Sequence, residues 1–410
     1  WAASIGVVPL GALFFSSLSL ISPLANAVAI PVVSAFVTPA VLLLGMGAQV
    51  SVWGAGLFAP LVCLPVEWLL DLLRAMNQWF GRGVVLASPD PLTFLFAALA
   101  ALALLAPTRV PWRGLWAVGF LPLLIQAPAP PPENGFRFTA LDVGQGMAVL
   151  VEVGGKSLLY DTGPAWDSQS NAGARIVVPW LMTRGISSLD VLVVSHADLD
   201  HSGGLLSVLK HMPIGRVYSS LADDHPLRAG NKSHQACKRG DAWRWGSASL
   251  EFLHPGDEFP PGAAKSPTNA RSCVLIVRTP GGRALLAGDI EARQETALVE
   301  RFGSALKAEL LLAPHHGSNT SSSATFLRAV APSFAVFQVG YRNRFKHPSP
   351  KVLERYVAEG VQILRTDHHG LIQATFGGPH AEPQISLGRE NPARYWRVPT
   401  RVTDTAGMAY

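Results

Sequence analysis

Charge is nearly missing from the first third of the chain. Between Trp1 and Pro131 only Glu67, Asp71, Arg74, Arg82, Asp90, Arg109 and Arg113 carry it. Such a stretch has too little charge to coat a water-facing surface, so it reads as membrane and the remainder as soluble. Cysteine is scarce as well. Cys63, Cys237 and Cys273 show no CxxC spacing and offer no disulfide framework. Cys63 in an apolar run and Cys273 in a strand-like run are expected in the core rather than as ligands, and no compartment follows from them. The sequence opens on Trp1 without an initiator Met or a basic leader, so no signal peptide is read and a fragment of a longer chain is expected. Neither an internal repeat nor a Ser or Cys nucleophile motif is found.

What is present is apolar mass. The 410 residues are 49% hydrophobic and 15% charged, against about a quarter charged in an ordinary soluble domain, and the mean hydropathy is +0.27. Length allows two or more domains. A net charge of +5 fits an anionic partner only weakly, since phospholipid, nucleic acid or no partner fits nearly as well. Four or five helical membrane segments are expected, at Leu10–Leu24, Ala25–Met46, Val52–Leu73, Pro91–Ala106 and Trp112–Leu124. Ala25–Met46 is the clearest, because it supplies the roughly 20 uncharged residues a span needs. Val52–Leu73 carries Glu67 and Asp71, and spans or lies at the interface. Arg74 and Arg82 flank one loop and Arg109 and Arg113 the next, so positive charge votes for both sides.

The Pro128–Pro132 run cannot continue a helix and reads as a stiff linker. Expected boundaries are 1–126 for the helical region, 127–134 for the linker, 135–378 for a second domain and 379–410 for a loosely ordered tail. Past the linker the pattern turns to short strands divided by glycine. Phe136–Asp142, Ala148–Val153 and Lys156–Asp161 come first, with a hairpin at Gly154-Gly155. Helices are expected at Arg175–Thr183, Gly204–Met212, Ala292–Phe302 and Pro350–Glu359. Strands are expected at Leu189–Ser195, Ala248–Leu253, Cys273–Arg278, Arg283–Gly288, Ala308–Ala313 and Ser333–Gln338. Two layers of strands with helices outside both fit this order.

The chemistry concentrates where a strand runs into a loop and a helix start. His196-Ala-Asp198-Leu-Asp200-His201 places two imidazoles and two carboxylates within six residues, which suits one or two divalent ions. Mixed imidazole and carboxylate favours Zn or Mn over Ca, which wants oxygen alone, and over Cu(I), which wants thiolate. Gly203 and Gly204 let the backbone approach the site and open the helix.

This loop resembles the HxHxDH motif of the metallo-β-lactamase superfamily, with Asp198 at the second His. That variant is similar to the ComEC family of DNA-uptake channel proteins. Leu141-Asp142-Val-Gly-Gln145-Gly-Met147 and Tyr160-Asp161-Thr-Gly163 resemble the family's first two motifs. Asn269-Ala-Arg-Ser272-Cys, Leu285-Leu-Ala-Gly-Asp289, Ala313-Pro-His315-His316-Gly-Ser318 and His347-Pro348 follow in order, and Ser22–Pro31 resembles the end of the competence membrane region. The resemblance implies an N-terminal α-helical transmembrane region followed by an α/β metallo-β-lactamase fold, an αββα sandwich.

It also implies roles. His196 and Asp198 would hold one ion and Asp200 and His201 the other, with Asp289 bridging. His316 or His315 would complete the coordination of the second ion; His316 is preferred. Asp161 would orient a ligand histidine, and Asp142, Gln145, Asn269, Ser272, Ser318, Asn319 and His347 would stand behind the ions or meet substrate. Two departures stand out. Met147 replaces the usual Asp, and no separate histidine lies between the loop and Asp289 except His254, which reads as structural. With two ions, Mn or Zn, such a site would cleave phosphodiesters. Arg175, Arg184, Arg342, Arg344 and Lys346 are candidates for the DNA backbone or ordinary solvated charges. The implied protein is a multi-pass inner-membrane DNA-uptake component whose extracytoplasmic domain degrades the strand not imported. Single-stranded DNA, membrane lipid and other competence proteins would be its partners. A non-catalytic DNA-docking domain and a tethered hydrolase of another phosphoester are the alternatives.

Overall fold

The computed structural model describes residues 2–389 except 16, 20, 81–83, 108–109, 127–129, 168–169, 223–224, 226–227, 229–233, 257–266 and 379–381. Expectations for Arg82, Arg109, part of the proline linker and the tail from 390 onward lie outside the described residues. The chain divides into two compact units, Trp1–Pro128 together with Met182–Gly185, and the rest.

The first unit contains α1 (Ala2–Phe15), β1 (Ser17–Leu18), α2 (Ser22–Val32), α3 (Thr38–Val50), α4 (Val52–Phe80), β2 (Val84–Val85), α5 (Pro91–Leu105) and α6 (Leu121–Ile125). One π-turn, Val33–Val37, joins α2 to α3. Pro23 and Pro39 stand in the first turns of α2 and α3, where a missing N–H costs nothing. Pro31 lies inside α2, and the wider turn follows it, absorbing the lost hydrogen bond. Ser22–Gln49, 28 residues, is long and apolar enough to cross a membrane, the one such helix among the described residues. Asp90 caps α5, its Oδ1 accepting from the Leu92 and Thr93 amides at 2.9 and 3.0 Å.

Two expectations fail here. Leu10–Leu24 is no continuous helix: α1 stops at Phe15, and Ser17–Leu18 pairs antiparallel with Val84–Val85. Apolarity alone cannot tell a span from a broken helix. Cys63 is exposed rather than buried.

The second unit holds β3 (Phe136–Ala140), β4 (Val149–Val153), β5 (Lys156–Tyr160), α7 (Val178–Thr183), β6 (Leu189–Val194), α8 (Leu199–Ser202), α9 (Leu205–His211), β7 (Ile214–Ser219), β8 (His234–Ala236), β9 (Ala242–Trp245), β10 (Ala248–His254), β11 (Val274–Thr279), β12 (Gly282–Leu286), α10 (Ala292–Phe302), β13 (Leu310–Leu312), α11 (Ala324–Val330), β14 (Phe334–Phe337), α12 (Pro350–Ala358), β15 (Gln362–Arg365), α13 (Thr366–His369), β16 (Ile372–Phe376) and β17 (Gln384–Leu387). The strands form sheets of order β17-β16-β3-β4-β5-β6-β7-β8 and β15-β14-β13-β12-β11-β10-β9.

Side-chain alternation explains the layers. In β11, Leu275 and Val277 point into the core between the sheets, while Val274 and Ile276 point to a second core shared with Leu298, Phe326 and Tyr356 of the helices. A strand buried on both faces reads as an unbroken apolar run. Pairs β5–β6, β6–β7, β7–β8, β12–β13, β13–β14 and β14–β15 are parallel, and the β5–β6, β6–β7, β12–β13, β13–β14 and β14–β15 crossovers each carry a helix, the usual way to join parallel strands. The β4–β5 turn puts Gly154 and Gly155 at φ +58 and +73°, the two left-handed residues of a type I′ hairpin.

Two findings were not expected. Cys237 and Cys273 form a disulfide, with Cα atoms 5.9 Å apart, and both are fully buried in the inter-sheet core. The stretch taken as the start of the tail contains β17, which pairs with β16 from Ile372↔Leu387 to Thr375↔Gln384.

Candidate metal centre

Strand ends build the site. Asp161 follows β5, Ser195 and His196 follow β6, Asp289 follows β12, His315 and His316 follow β13, and Gln338 follows β14. Neighbouring parallel strands therefore deliver side chains from distant sequence to one rim. The metal loop is seated by close backbone contact: a Cβ on Gly203 would lie 2.1 Å from the Ala165 nitrogen, and one on Gly204 2.3 Å from the Thr162 carbonyl oxygen. His315 and His316 both have left-handed backbones, at φ +48 and +53°, which is rare outside glycine and concentrates at functional sites.

Each of three buried histidines spends one ring nitrogen on a fixed partner. His201 Nδ1 donates to Asp161 Oδ2 at 2.8 Å, and His316 Nδ1 to the Gln338 carbonyl at 2.8 Å. His196 Nδ1 lies 2.9 Å from Ser195 Oγ, whose own proton goes to Asp161 Oδ2 at 2.8 Å. With Nδ1 protonated in all three, an assignment from hydrogen bonding, the Nε2 lone pairs turn toward one another. His201 Nε2 is 3.1 Å from His316 Nε2 and 3.2 Å from Asp289 Oδ1. His316 Nε2 is 3.4 Å from Asp200 Oδ2 and 3.6 Å from Asp289 Oδ2. Among the described residues His196 Nε2, which is buried, has no hydrogen-bond partner, its neighbour Asp198 Oδ2 standing 3.6 Å away.

These donors fit divalent ions. His196, His201 and Asp289 form one group of mutually close donor atoms, and Asp200, His201 and His316 another. A pair of nitrogens 3.1 Å apart is close to the edge of a shell with metal–nitrogen bonds of about 2.0–2.1 Å. Electrostatics agree. Burial alone would raise Asp289, yet His201 and His316 hold its carboxyl well below the usual range. Burial would lower His201, but Asp289, Asp161 and Asp200 push it well above an ordinary imidazole. The cavity thus favours a cation between its carboxylates, and a metal ion is the alternative to that proton.

The other expected residues fall into place unevenly. His315 sits at the rim, its Nε2 3.8 Å from Asp289 Oδ2 and 3.4 Å from Asn269 Nδ2. Ser272 Oγ accepts from the Asp289 amide at 3.1 Å and lies 3.4 Å from His196 Nδ1. His254 Nδ1 approaches the Ser272 carbonyl at 2.8 Å, supporting that segment. Gln145 Oε1 accepts from the Gly340 amide at 3.2 Å. Asn319 Oδ1 accepts from Ser349 Oγ at 2.6 Å, and Ser318 Oγ meets Thr320 Oγ1 at 3.1 Å. His347 stands edge-on to His315, 6.0 Å between ring centres. Burial first, then His316 and His315, lower its pKa to about 4. Asp142 is not brought to the cluster. It pairs with Arg389 at 2.6 Å. Met147 is fully buried in the inter-sheet core, and its amide donates to the Asp200 carbonyl at 3.0 Å.

Sequence reasoning missed Ser195 and Gln338. Besides receiving His316 with its carbonyl, Gln338 Oε1 accepts from the Ala148 amide at 3.1 Å. Ser195 has no signal beyond its place at a strand end before an expected ligand, and Gln338 none beyond its place at a strand end.

Fold and site fit a metallo-β-lactamase-type domain with a candidate metal centre, and residues 141–340 match the Metallo-beta-lactamase superfamily. Residues 1–111 match the family described as Competence protein, so the chain carries a Competence-family region followed by a metallo-β-lactamase superfamily domain. It is 38% identical over 380 residues to Competence protein ComA of Neisseria gonorrhoeae, covering 92% of this chain and 51% of that protein. Identity to ComE operon protein 3 of Bacillus subtilis is 30% over 403 residues, covering 90% and 50%. The uncharacterized protein YcaI of Escherichia coli is 32% identical over 380 residues, covering 90% and 47%. The chain spans about half the length of these curated relatives.

Proposed function

We propose that this chain is a membrane component of DNA uptake whose second unit is a metal-dependent nuclease acting on the strand that is not imported. The observation that carries the reading is the convergence of His196, His201, His316, Asp200 and Asp289 in a chain with a competence-family region. His196 and Asp198 would hold one divalent ion, Asp200, His201 and His316 the other, with Asp289 between them, and Mn or Zn suits these donors. Such ions supply Lewis acidity and an activated water for phosphodiester hydrolysis.

The chain's own residues do the rest. Asp161, Ser195 and Gln338 fix the imidazoles, which keeps the donor atoms aimed before substrate arrives. His347, neutral at pH 7 because its pKa lies near 4, offers a hydrogen bond near the leaving oxygen without adding fixed charge. Arg175, which lies over the Trp166 ring at 5.9 Å, and the cations of the Gly340–His347 loop would hold phosphates.

The second unit is proposed to face the extracytoplasmic side of the inner membrane, where the discarded strand stays. A buried disulfide supports this, since such bonds persist in oxidising compartments. The full chain, purified in detergent and loaded with Mn or Zn, is expected to cleave labelled single- or double-stranded DNA and to lose cleavage with Asp200→Ala. A folded, metal-loaded protein that cleaves neither would sink the nuclease reading. In cells, protease cleavage near residues 128–132 from the outer side is expected, and cleavage only from the cytoplasm would overturn the orientation.

A further inference from the structure

The loop from Gly340 to His347 reads Gly-Tyr-Arg-Asn-Arg-Phe-Lys-His, with aromatic and cationic residues interleaved and no acid. Its large aromatics are not packed away: Tyr341 is 58% exposed and Phe345 50%. Burying them nearby would be the ordinary outcome for rings of that size, so their position outside calls for a ligand. The loop is held at both ends. Gln145 Oε1 receives the Gly340 amide, a Cβ on Gly340 would lie 2.7 Å from the Gln145 nitrogen, and Asn343 Nδ2 and Oδ1 bond the His347 carbonyl and amide at 2.6 and 2.9 Å. Arg342 and Lys346 take left-handed backbones, at φ +50 and +55°, unusual for such residues and found where a loop has a task.

Within the loop the groups stack in series toward the metal centre. The Arg344 guanidinium lies over Phe345 at 4.7 Å, Phe345 stacks on His347 at 5.8 Å and 14°, and His347 meets His315 edge-on. His315 in turn is 3.8 Å from Asp289. Arg342 covers Tyr341 in the same way at 5.2 Å. Among the described residues Arg342, Arg344 and Lys346 form no ion pair. A run of rings and unpaired cations leading to a centre for phosphodiesters matches an unpaired nucleic-acid strand, whose bases stack and whose phosphates take the cations. A duplex hides its base faces and has no use for the rings.

We propose that the Gly340–His347 loop is a stacking platform for unpaired nucleotides at the metal centre, with Tyr341 and Phe345 taking bases and Arg342, Arg344 and Lys346 taking phosphates. A base stacks on a ring more strongly than an exposed cation does. An arriving base therefore displaces Arg344 from Phe345 and frees the guanidinium for the adjoining phosphate. The proposal deepens the nuclease reading, but binding tests it separately.

The test is fluorescence anisotropy of the full chain in detergent with EDTA, so that no turnover occurs, using labelled oligo-dT and a duplex of equal length. Tyr341→Ala and Phe345→Ala are each expected to weaken oligo-dT by about 5- to 100-fold, the scale of one lost base–aromatic stack, and to weaken duplex much less. Tyr341→Trp is expected to restore single-strand affinity, which a merely structural role would not predict. Equal loss on both DNAs, or no loss on either, overturns the platform. Because the rings are exposed, these variants fold, and unchanged thermal unfolding checks that. Failure of cleavage with the binding difference intact would count against the nuclease reading alone.

Discussion

Leu43 and Leu206 are equally bare, at 69% and 62% exposure, but they belong to different kinds of surface. Leu43 lies in the Ser22–Gln49 helix among other outward apolar side chains, Phe36 at 66%, Leu42 at 62% and Met46 at 70% exposed. Leu206 stands singly on α9, whose Leu205 and Val208 are buried. The first unit turns its apolar residues out, and the second alternates them inward between two sheets. Polar groups reverse the pattern. The second unit buries Asp161, His196, His201, Asp289 and His316 to 3% exposure or less, all at one rim of strand ends. On the function proposed above, what differs is the surroundings each unit is built for, lipid in one case and a metal-holding cavity in the other.

The largest effect is expected inside that cavity. His201→Ala leaves Asp161 and Asp289 buried without their cation, and breaking a buried pair costs about 3–5 kcal/mol. Thermal unfolding of the metal-free chain in detergent checks this, and metal content is expected to fall with it. An unchanged midpoint would deny that the cluster is electrostatically closed. Next, Cys237→Ser removes a cross-link between positions 36 residues apart, for which loop-closure entropy predicts a loss of about 4 kcal/mol or less. Denaturant titration reads it, and a reductant should mimic it.

The comparison itself is tested by charge. Leu43→Lys is expected to cost about 2.5–3.5 kcal/mol of membrane insertion, whereas Leu206→Lys should stay within about 0.5 kcal/mol in folding. Membrane-fraction yield and thermal unfolding read the two sides. If both are neutral, the first unit faces water. A smaller effect than that of Leu43→Lys is expected from Asp161→Asn, which keeps the shape around His201 but weakens its acceptor. Loss of such a supporting partner lowers metal affinity by about 10- to 100-fold, measurable by competition with a chelating dye.

Much of this was legible in the sequence where physics acts locally. Leu189–Ser195 reads as a buried strand because both its faces are covered, and His196–His201 reads as a ligand loop because its donors are adjacent. What stayed hidden depends on distance along the chain. Nothing near Cys237 announces Cys273, and β17 is a half-exposed edge strand without the apolar run that marks β13. Gln338 serves His316 through a carbonyl, which any residue possesses. Asp142, expected near the site by resemblance, points instead to Arg389. In the Gly340–His347 loop the sequence offered the cations as DNA-backbone contacts or as ordinary solvated charges, and the exposure of Tyr341 and Phe345 needed coordinates.

Metal content per chain tests the account most directly. Full-length protein in detergent, equilibrated with Mn or Zn, freed of excess metal and analysed by elemental mass spectrometry, is expected to retain up to two ions. Asp289→Ala together with His316→Ala should retain none. A folded wild-type chain that keeps no ion, or a double variant that keeps as much as wild type, would contradict it.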